Sequence, residues 1–201
     1  MQIDINQLKG KHVYLEFLKP EHAATIRPLA KDERIWDFTK RFLLDDTFDA
    51  SFDVYISTAL DKNALGGQQV FVIRQSSDNA MIGMTRLYEI TPKDKRVTIG
   101  YTWYTPSVWG KIHNKECKLL LLQLVFEDWA FNRVEFRVAH QNIRSQKAVE
   151  KIGALKEGLL RKYGYRNDGS LYDSFVFSII NDEWPDRKEK LLQLMADSEN
   201  Q

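Results

Sequence analysis

The sequence predicts a mixed α/β fold with antiparallel sheet at both ends, and three observations carry that prediction. Residues 69–104 hold three strand-like segments separated by the turn-like stretches SSDN and TPKDK. A strand, helix, strand, helix succession follows from residue 96 to 151. The chain then closes with two strand-like arms around Asn167-Asp168-Gly169, a strong hairpin signal. No repeat, low-complexity tract or Pro/Gly/Ser-rich linker interrupts the 201 residues, so one domain is expected over 1–201, loosely held from about 197 to 201.

Taken in order, the first strand is expected at residues 12–18, where Val13, Leu15 and Phe17 alternate. Pro20 suits the first turn of a helix and opens a helical stretch to about Leu29. Phe48, Phe52, Tyr55, Ile56 and Ala59 recur at helical spacing and predict a helix over residues 47–61. Strands are then predicted at 69–74, 80–88 and 96–104, the last with Val97, Ile99, Tyr101 and Trp103 on one face. Residues 114–130 are apolar almost all round, which is the pattern of a buried helix, with Asn114 as its expected cap. Val134, Phe136 and Val138 alternate in a strand at 133–139, and a helix at 143–151 is stopped by Gly153. The hairpin arms are expected at 155–165 and 170–180.

Twenty-nine basic and twenty-eight acidic residues give a net charge of +1, so no overall field recruits nucleic acid or an anionic membrane, and any anion site must be local. No apolar run approaches the roughly 18 residues that cross a bilayer, and the N-terminus lacks the order of a signal peptide. The single cysteine, Cys117, fits a reducing compartment, and the cytoplasm is the expected location. His12, His22, His113 and His140 have no metal-ligand spacing, so no metal site is expected.

One junction stands out for chemistry. A strand ending at Tyr104 runs through a short loop with Trp109, Gly110 and Lys111 into the long apolar helix. Unpaired N–H groups and the positive end of the helix dipole suit such a loop to a phosphate or pyrophosphate. Gly110 permits close approach, and Lys111 and Lys115 add positive charge. Alone, this pattern is also compatible with an ordinary strand-to-helix connection.

The stretches IGYTWYTPSVWGKIHNKE (99–116) and NRVEFRVAHQNIRSQKAVEKIGALKEG (132–158) resemble the GNAT superfamily of N-acetyltransferases, in particular its RimJ/RimL-like branch of ribosomal-protein N-terminal acetyltransferases. LKGKHVYLEFLKPEH near the start and DGSLYDSFVFSIINDEWP near the end resemble the same branch. The resemblance implies the GNAT acyl-CoA N-acyltransferase fold, a mostly antiparallel central sheet flanked by helices, with acetyl-CoA as cofactor. It implies that backbone groups of Trp103 and Tyr104 pair with the pantetheine arm and that Trp109, Gly110, Lys111, Ile112, His113 and Asn114 cradle the pyrophosphate. It further implies that Asn142 bonds the pantetheine amides, that Ser145 is the catalytic hydroxyl near the thioester sulfur, and that Lys147 reaches the phosphates. The implied acceptor is a primary amine, a protein N-terminus first and a small amine second, and the enzyme is either a monomer or a homodimer.

Two positions depart from the family pattern. Ile112 stands where the loop usually has a second glycine, and Thr98 where many relatives have a glutamate, a natural base for the amine. Glu89, Asp173 and Tyr101 are candidate replacements. The same departures motivate a second reading, a catalytically weak GNAT-like acyl-CoA-binding module. Cys117 reads as core packing more readily than as a nucleophile. Trp36, Phe38 and Phe42, and separately Tyr163 and Tyr165, are compatible both with an acceptor pocket and with packing.

Overall fold

The computed structural model describes residues 3–199. Its centre is one seven-stranded sheet in the order β1-β2-β3-β4-β5-β7-β6. The strands are β1 (Val13–Phe17), β2 (Gln68–Gln75), β3 (Met81–Thr91), β4 (Arg96–Tyr104), β5 (Arg133–Ala139), β6 (Leu155–Tyr165) and β7 (Leu171–Ile180). Every neighbouring pair is antiparallel except β4 and β5, which run parallel. That one parallel pair joins the antiparallel sheets expected at the two ends of the chain.

Helices cover both faces. One layer holds α1 (Ala23–Leu29), α2 (Glu33–Trp36) and α3 (Phe48–Ala64). It packs Phe42, Phe48, Phe52, Ile56 and Trp36 against Val70, Val72, Met84 and Trp103 of the sheet. The other layer holds α4 (His113–Gln123), α5 (Ile143–Lys151) and α6 (Trp184–Glu199). Leu121 and Leu122 of α4 are fully buried there against Val97, Ile99, Val134 and Phe177. The all-round apolar pattern of α4 follows, since the helix lies between the sheet and α6, and it ends in a wider π-helical turn at Leu124–Asp128.

Three expectations need correction: the α4 cap, the end of β3, and the shared face of β4, where the bulge at Tyr101 turns Trp103 to the layer opposite Val97 and Ile99. Asn114 does not cap α4: the cap position is Ile112, and no side chain caps the helix there. The C-terminal segment is helical as far as Glu199, because α6 buries Trp184 and Leu191 and Glu199 pairs with Lys11 and His12. Asn200 and Gln201 lie outside the described residues. β3 continues past Tyr88 to Thr91 by taking a bulge at Glu89, which strand alternation alone did not anticipate.

α4 is also held from the N-terminal side. The Glu116 carboxylate is buried and accepts the backbone N–H groups of Lys11 (2.9 Å), His12 (2.7 Å) and Val13 (2.6 Å). A buried carboxylate with three such donors satisfies the start of β1 and fixes it against the first turn of α4.

Candidate active site

β4 and β5 pair over only three residues each, Arg96–Thr98 with Arg133–Glu135, and diverge beyond them. From Ile99 onward the β5-facing edge of β4 is therefore without a strand partner. The gap opens into a cleft of about 1000 Å³ lined from both helical layers and from the β6–β7 hairpin.

At one end of the cleft lies the loop before α4. A helix leaves its first four N–H groups without intrahelical partners, and here no side chain among the described residues takes them up. Gly110 has φ +76 with open space around its Cα, so glycine is needed there for backbone conformation and not for room. Ile112 sits at φ −65, an ordinary helical value, so the isoleucine imposes no strain on the loop. The Trp109 indole N–H donates to the Tyr104 carbonyl (2.9 Å), and the Arg144 guanidinium lies 3.8 Å from the ring centroid. This ties the loop to α5.

The structure brings Trp103, Tyr104, Trp109, Gly110, Lys111, Asn114, Asn142, Ser145 and Lys147 to this one cleft. It does not bring the side chains of Ile112 and His113. Ile112 is buried beneath the loop, and burial lowers the pKa of His113, with the charges of His12 and Lys111 adding to the effect. These two residues have only backbone groups to offer. Asn142 caps α5 by accepting the Ser145 N–H (3.0 Å), which leaves its amide group available and orients Ser145 in the first turn.

Three cationic residues at this end went unnamed in the sequence: Arg144, Lys151 and Lys118. Lys118 is buried, and desolvation lowers its pKa; its Nζ donates to Thr102 Oγ1 (3.0 Å), which in turn meets Thr85 Oγ1 (2.8 Å). A lysine inside the apolar run CKLLLLQLVF was the available signal.

The other end of the cleft is built from side chains aimed by three β-bulges. Tyr101, Glu89 and Lys162 each have positive φ (52, 50 and 49) and sit at register shifts in β4, β3 and β6. Non-glycine residues held there store strain of about 1–3 kcal/mol each, and such bulges re-aim neighbouring side chains. Tyr101 and Glu89 themselves and Tyr163, the neighbour of Lys162, line the cleft.

Thr98 is buried, and its Oγ1 lies 3.5 Å from Glu89 Oε2. Among the described residues Glu89 is the only carboxylate lining the cleft, and Arg137 grips it through both terminal nitrogens while also donating to the Tyr163 hydroxyl (2.8 Å). Burial opposes the Arg137 charge, but the bonds to Glu89 and Tyr163 outweigh it and hold its pKa above the ordinary value. Tyr88 beside it is buried enough to push its phenol far up. Asp173 does not line the cleft; its carboxylate accepts the Lys162 N–H (2.7 Å).

Among the ambiguous aromatics, Trp36, Phe38, Tyr163 and Tyr165 line the cleft, whereas Phe42 is core. Cys117 is fully buried, and burial raises its thiol pKa, as suits packing and not a nucleophile. Among the described residues no group of three or more His, Cys, Asp or Glu side chains is placed to hold a metal. No helix among them is long and apolar enough to cross a membrane.

Residues 12–155 match the family described as "Acetyltransferase (GNAT) domain". The chain belongs to the GNAT acetyltransferase family. It is 32% identical over 112 residues to YdaF of Bacillus subtilis, named as a candidate ribosomal N-acetyltransferase, a match covering 55% of this chain and 60% of YdaF. A crystal structure of a candidate acetyltransferase from T. thermophilus superposes with TM-score 0.79 at 31% identity, covering 94% of this chain and 96% of that one. Mycobacterium smegmatis RimJ, solved with CoA-disulfide, shares the fold with TM-score 0.77 at 21% identity, over 90% of this chain and 88% of RimJ. The seven-stranded, mostly antiparallel sheet flanked by helices is thus the GNAT fold that the sequence motifs resembled.

Proposed function

We propose that the whole chain works as one unit that transfers an acetyl group from acetyl-CoA to a primary amine, with a polypeptide N-terminal α-amine as the first class of acceptor and a small amine as the second. One observation carries the reading: the divergence of β4 from β5 puts an open strand edge, an uncapped helix start and Asn142 with Ser145 around the same cleft. The name of YdaF, the CoA-disulfide held by RimJ and the acetyl-CoA and AMP held by the fold relative MccE point the same way.

The residues fit the cofactor. The N–H groups at the start of α4, with Gly110, Lys111, Lys115 and Lys147 nearby, suit a pyrophosphate. Trp103 and Tyr104 lie on the unpartnered edge of β4 and suit the amides of a pantetheine arm, as does the free amide of Asn142. When bound, acetyl-CoA supplies an acetyl group on a thioester, which an uncharged amine can take with release of the thiol.

The chain's own groups then have three tasks. A β4 backbone N–H near Trp103 or Tyr104 stabilises negative charge growing on the carbonyl oxygen, a role typically worth about 3 kcal/mol. The Ser145 hydroxyl passes a proton to the departing sulfur. Deprotonating the amine is the weakest provision, because the cleft's only carboxylate among the described residues is engaged by Arg137. An α-amine with a pKa of about 8 is roughly a tenth neutral at pH 7, whereas a lysine amine near about 10.4 is under about 0.1% neutral. The α-amine therefore needs the least help from a base, which favours it as acceptor. These features, in the cytoplasm, suit a protein acting on N-termini there.

Thiol release from acetyl-CoA, measured with a panel of peptides, polyamines and aminoglycosides, tests the proposal. Acceptor-dependent release that is fastest with free peptide N-termini is the expected result. Binding of acetyl-CoA without release for any acceptor would instead mark a binding module.

A further inference from the structure

The charge lining the cleft is one-sided. Among the described residues, ten lysines and arginines face a single carboxylate, although the whole chain carries a net charge of only +1. Phosphates explain the cations near α4 and α5. They do not explain those at the far end.

Two arginines at that end have neither a counter-charge nor a full set of hydrogen-bond partners among the described residues: Arg41, which lines the cleft, and Arg86, which lies behind two rings that line it. Arg86 is 3% exposed, and no carboxylate among those residues lies within 4 Å of it. Its guanidinium is held between the rings of Tyr55 and Tyr101, 4.6 Å from each centroid, and both rings line the cleft. Nη1 donates to Gln68 Oε1 (3.2 Å), whereas Nε and Nη2 are closed to solvent and have no hydrogen-bond partner among the described residues. Arg41 lies 5.4 Å from the centroid of the same Tyr101 ring and is likewise without an acid. The hairpin turn positions it: Asn167 donates to the Lys40 and Arg41 carbonyls, and Arg166 Nε donates to Phe38 O (3.0 Å).

Their neighbours are different. Arg137 has Glu89 and Glu135, and Arg166 is fully engaged by carbonyls, Ser170 and Gln141. A cleft lined, among the described residues, by ten cations and one carboxylate favours an anionic ligand, and Arg86, although closed off from the cleft, adds to its positive field. We propose that the acceptor brings the missing negative charge: the α-amine substrate is an acidic N-terminal segment, with Asp or Glu in the positions just after the acetylated residue, recognised through Arg41, with the buried Arg86 adding positive charge from behind the Tyr55 and Tyr101 rings.

This rests on the acetyl-transfer reading, and the test separates the two. Three peptides with N-terminal Ser, followed by Glu-Glu, Gln-Gln or Lys-Lys and otherwise identical, are assayed for kcat and KM. The Glu-Glu peptide is expected to exceed the Gln-Gln peptide by at least about tenfold in kcat/KM, mainly through KM, with the Lys-Lys peptide lowest. Added salt should shrink the gap, since the Arg41 site is exposed and the Debye length is about 10 Å at 0.1 M. Arg41→Gln, an exposed substitution that leaves the core intact, should lower the ratio of acidic to neutral turnover, as should Arg86→Gln where it folds. Equal turnover of the Glu-Glu and Gln-Gln peptides, or faster turnover of Lys-Lys, overturns the acidic-acceptor inference alone. No turnover of any of the three, with acetyl-CoA still bound, removes the α-amine reading and this inference with it.

Discussion

The two ends of the cleft are built by different physical means. The end near α4 relies on backbone: an uncapped helix start, a strand edge left open where β4 leaves β5, and a glycine at positive φ. The end near the hairpin relies on side chains from distant segments, Arg41, Tyr55, Tyr101, Arg137 and Tyr163, with bulges at Glu89, Tyr101 and Lys162 re-aiming those on the sheet. Backbone devices tolerate sequence change, provided that the fold and one or two glycines survive. A side-chain constellation can be rewritten by a few substitutions, so one scaffold can keep its cofactor while changing its acceptor.

The comparison can be broken first at its foundation. Glu116→Ala orphans three backbone N–H groups at the start of β1, and the loss of a charged, buried acceptor should cost about 3 kcal/mol or more, read as a lower urea midpoint with unchanged slope. Next in size, Ser145→Ala should lower kcat about 100-fold while leaving the affinity for acetyl-CoA nearly intact, because the hydroxyl has no hydrogen-bond partner among the described residues and the α5 cap is made by the Ser145 backbone N–H. Steady-state rates beside a calorimetric titration would separate the two quantities. Gly110→Ala forces a Cβ into a left-handed conformation that costs about 1–2 kcal/mol, so acetyl-CoA should bind roughly tenfold more weakly with the acceptor KM unmoved. That last contrast would show that the two ends are separable.

The smallest effect concerns pH. His22 stands just before α1, in the layer of α1, α2 and α3, and is buried; desolvation lowers its pKa below 6.5, despite the nearby Glu16 carboxylate. The neutral Nδ1 accepts the Lys19 N–H (3.2 Å). The unfolded chain therefore binds a proton before the folded one does. Stability is full above pH 6.5 and declines as pH falls below it, with a slope of at most about 1.4 kcal/mol per pH unit for one proton. Urea midpoints between pH 7.5 and 5.5, flatter in His22→Gln than in the parent, would check this.

The backbone-built end was the legible one. The strand–loop–helix junction at Tyr104, Gly110 and Lys111, and the Asn142 and Ser145 pair, are local in sequence, and the structure gathers them without help from other segments. Asn114 was misread as a cap because a good capping residue type near a helix start does not fix which residue leaves helical φ/ψ first. The apolar helix around it hides Lys118 in the sequence, although a lysine among leucines is the kind of residue that needs a reason. The other end was illegible for a physical cause. Bulges reverse which face a side chain takes, so period-two alternation cannot place Glu89 or Tyr101. Arg41 and Arg86 approach the same Tyr101 ring only through the tertiary fold, with the hairpin turn holding the Arg41 segment, contacts that span most of the chain.

One measurement bears most directly on the central claim. A peptide with a free N-terminus and an internal lysine is incubated with acetyl-CoA and the protein, and the acetylated position is located by fragment mass spectrometry. Acetylation confined to the α-amine, and lost with Ser145→Ala, is the predicted result. Acetylation at the lysine alone, or an unmodified peptide in the presence of bound acetyl-CoA, would contradict the account.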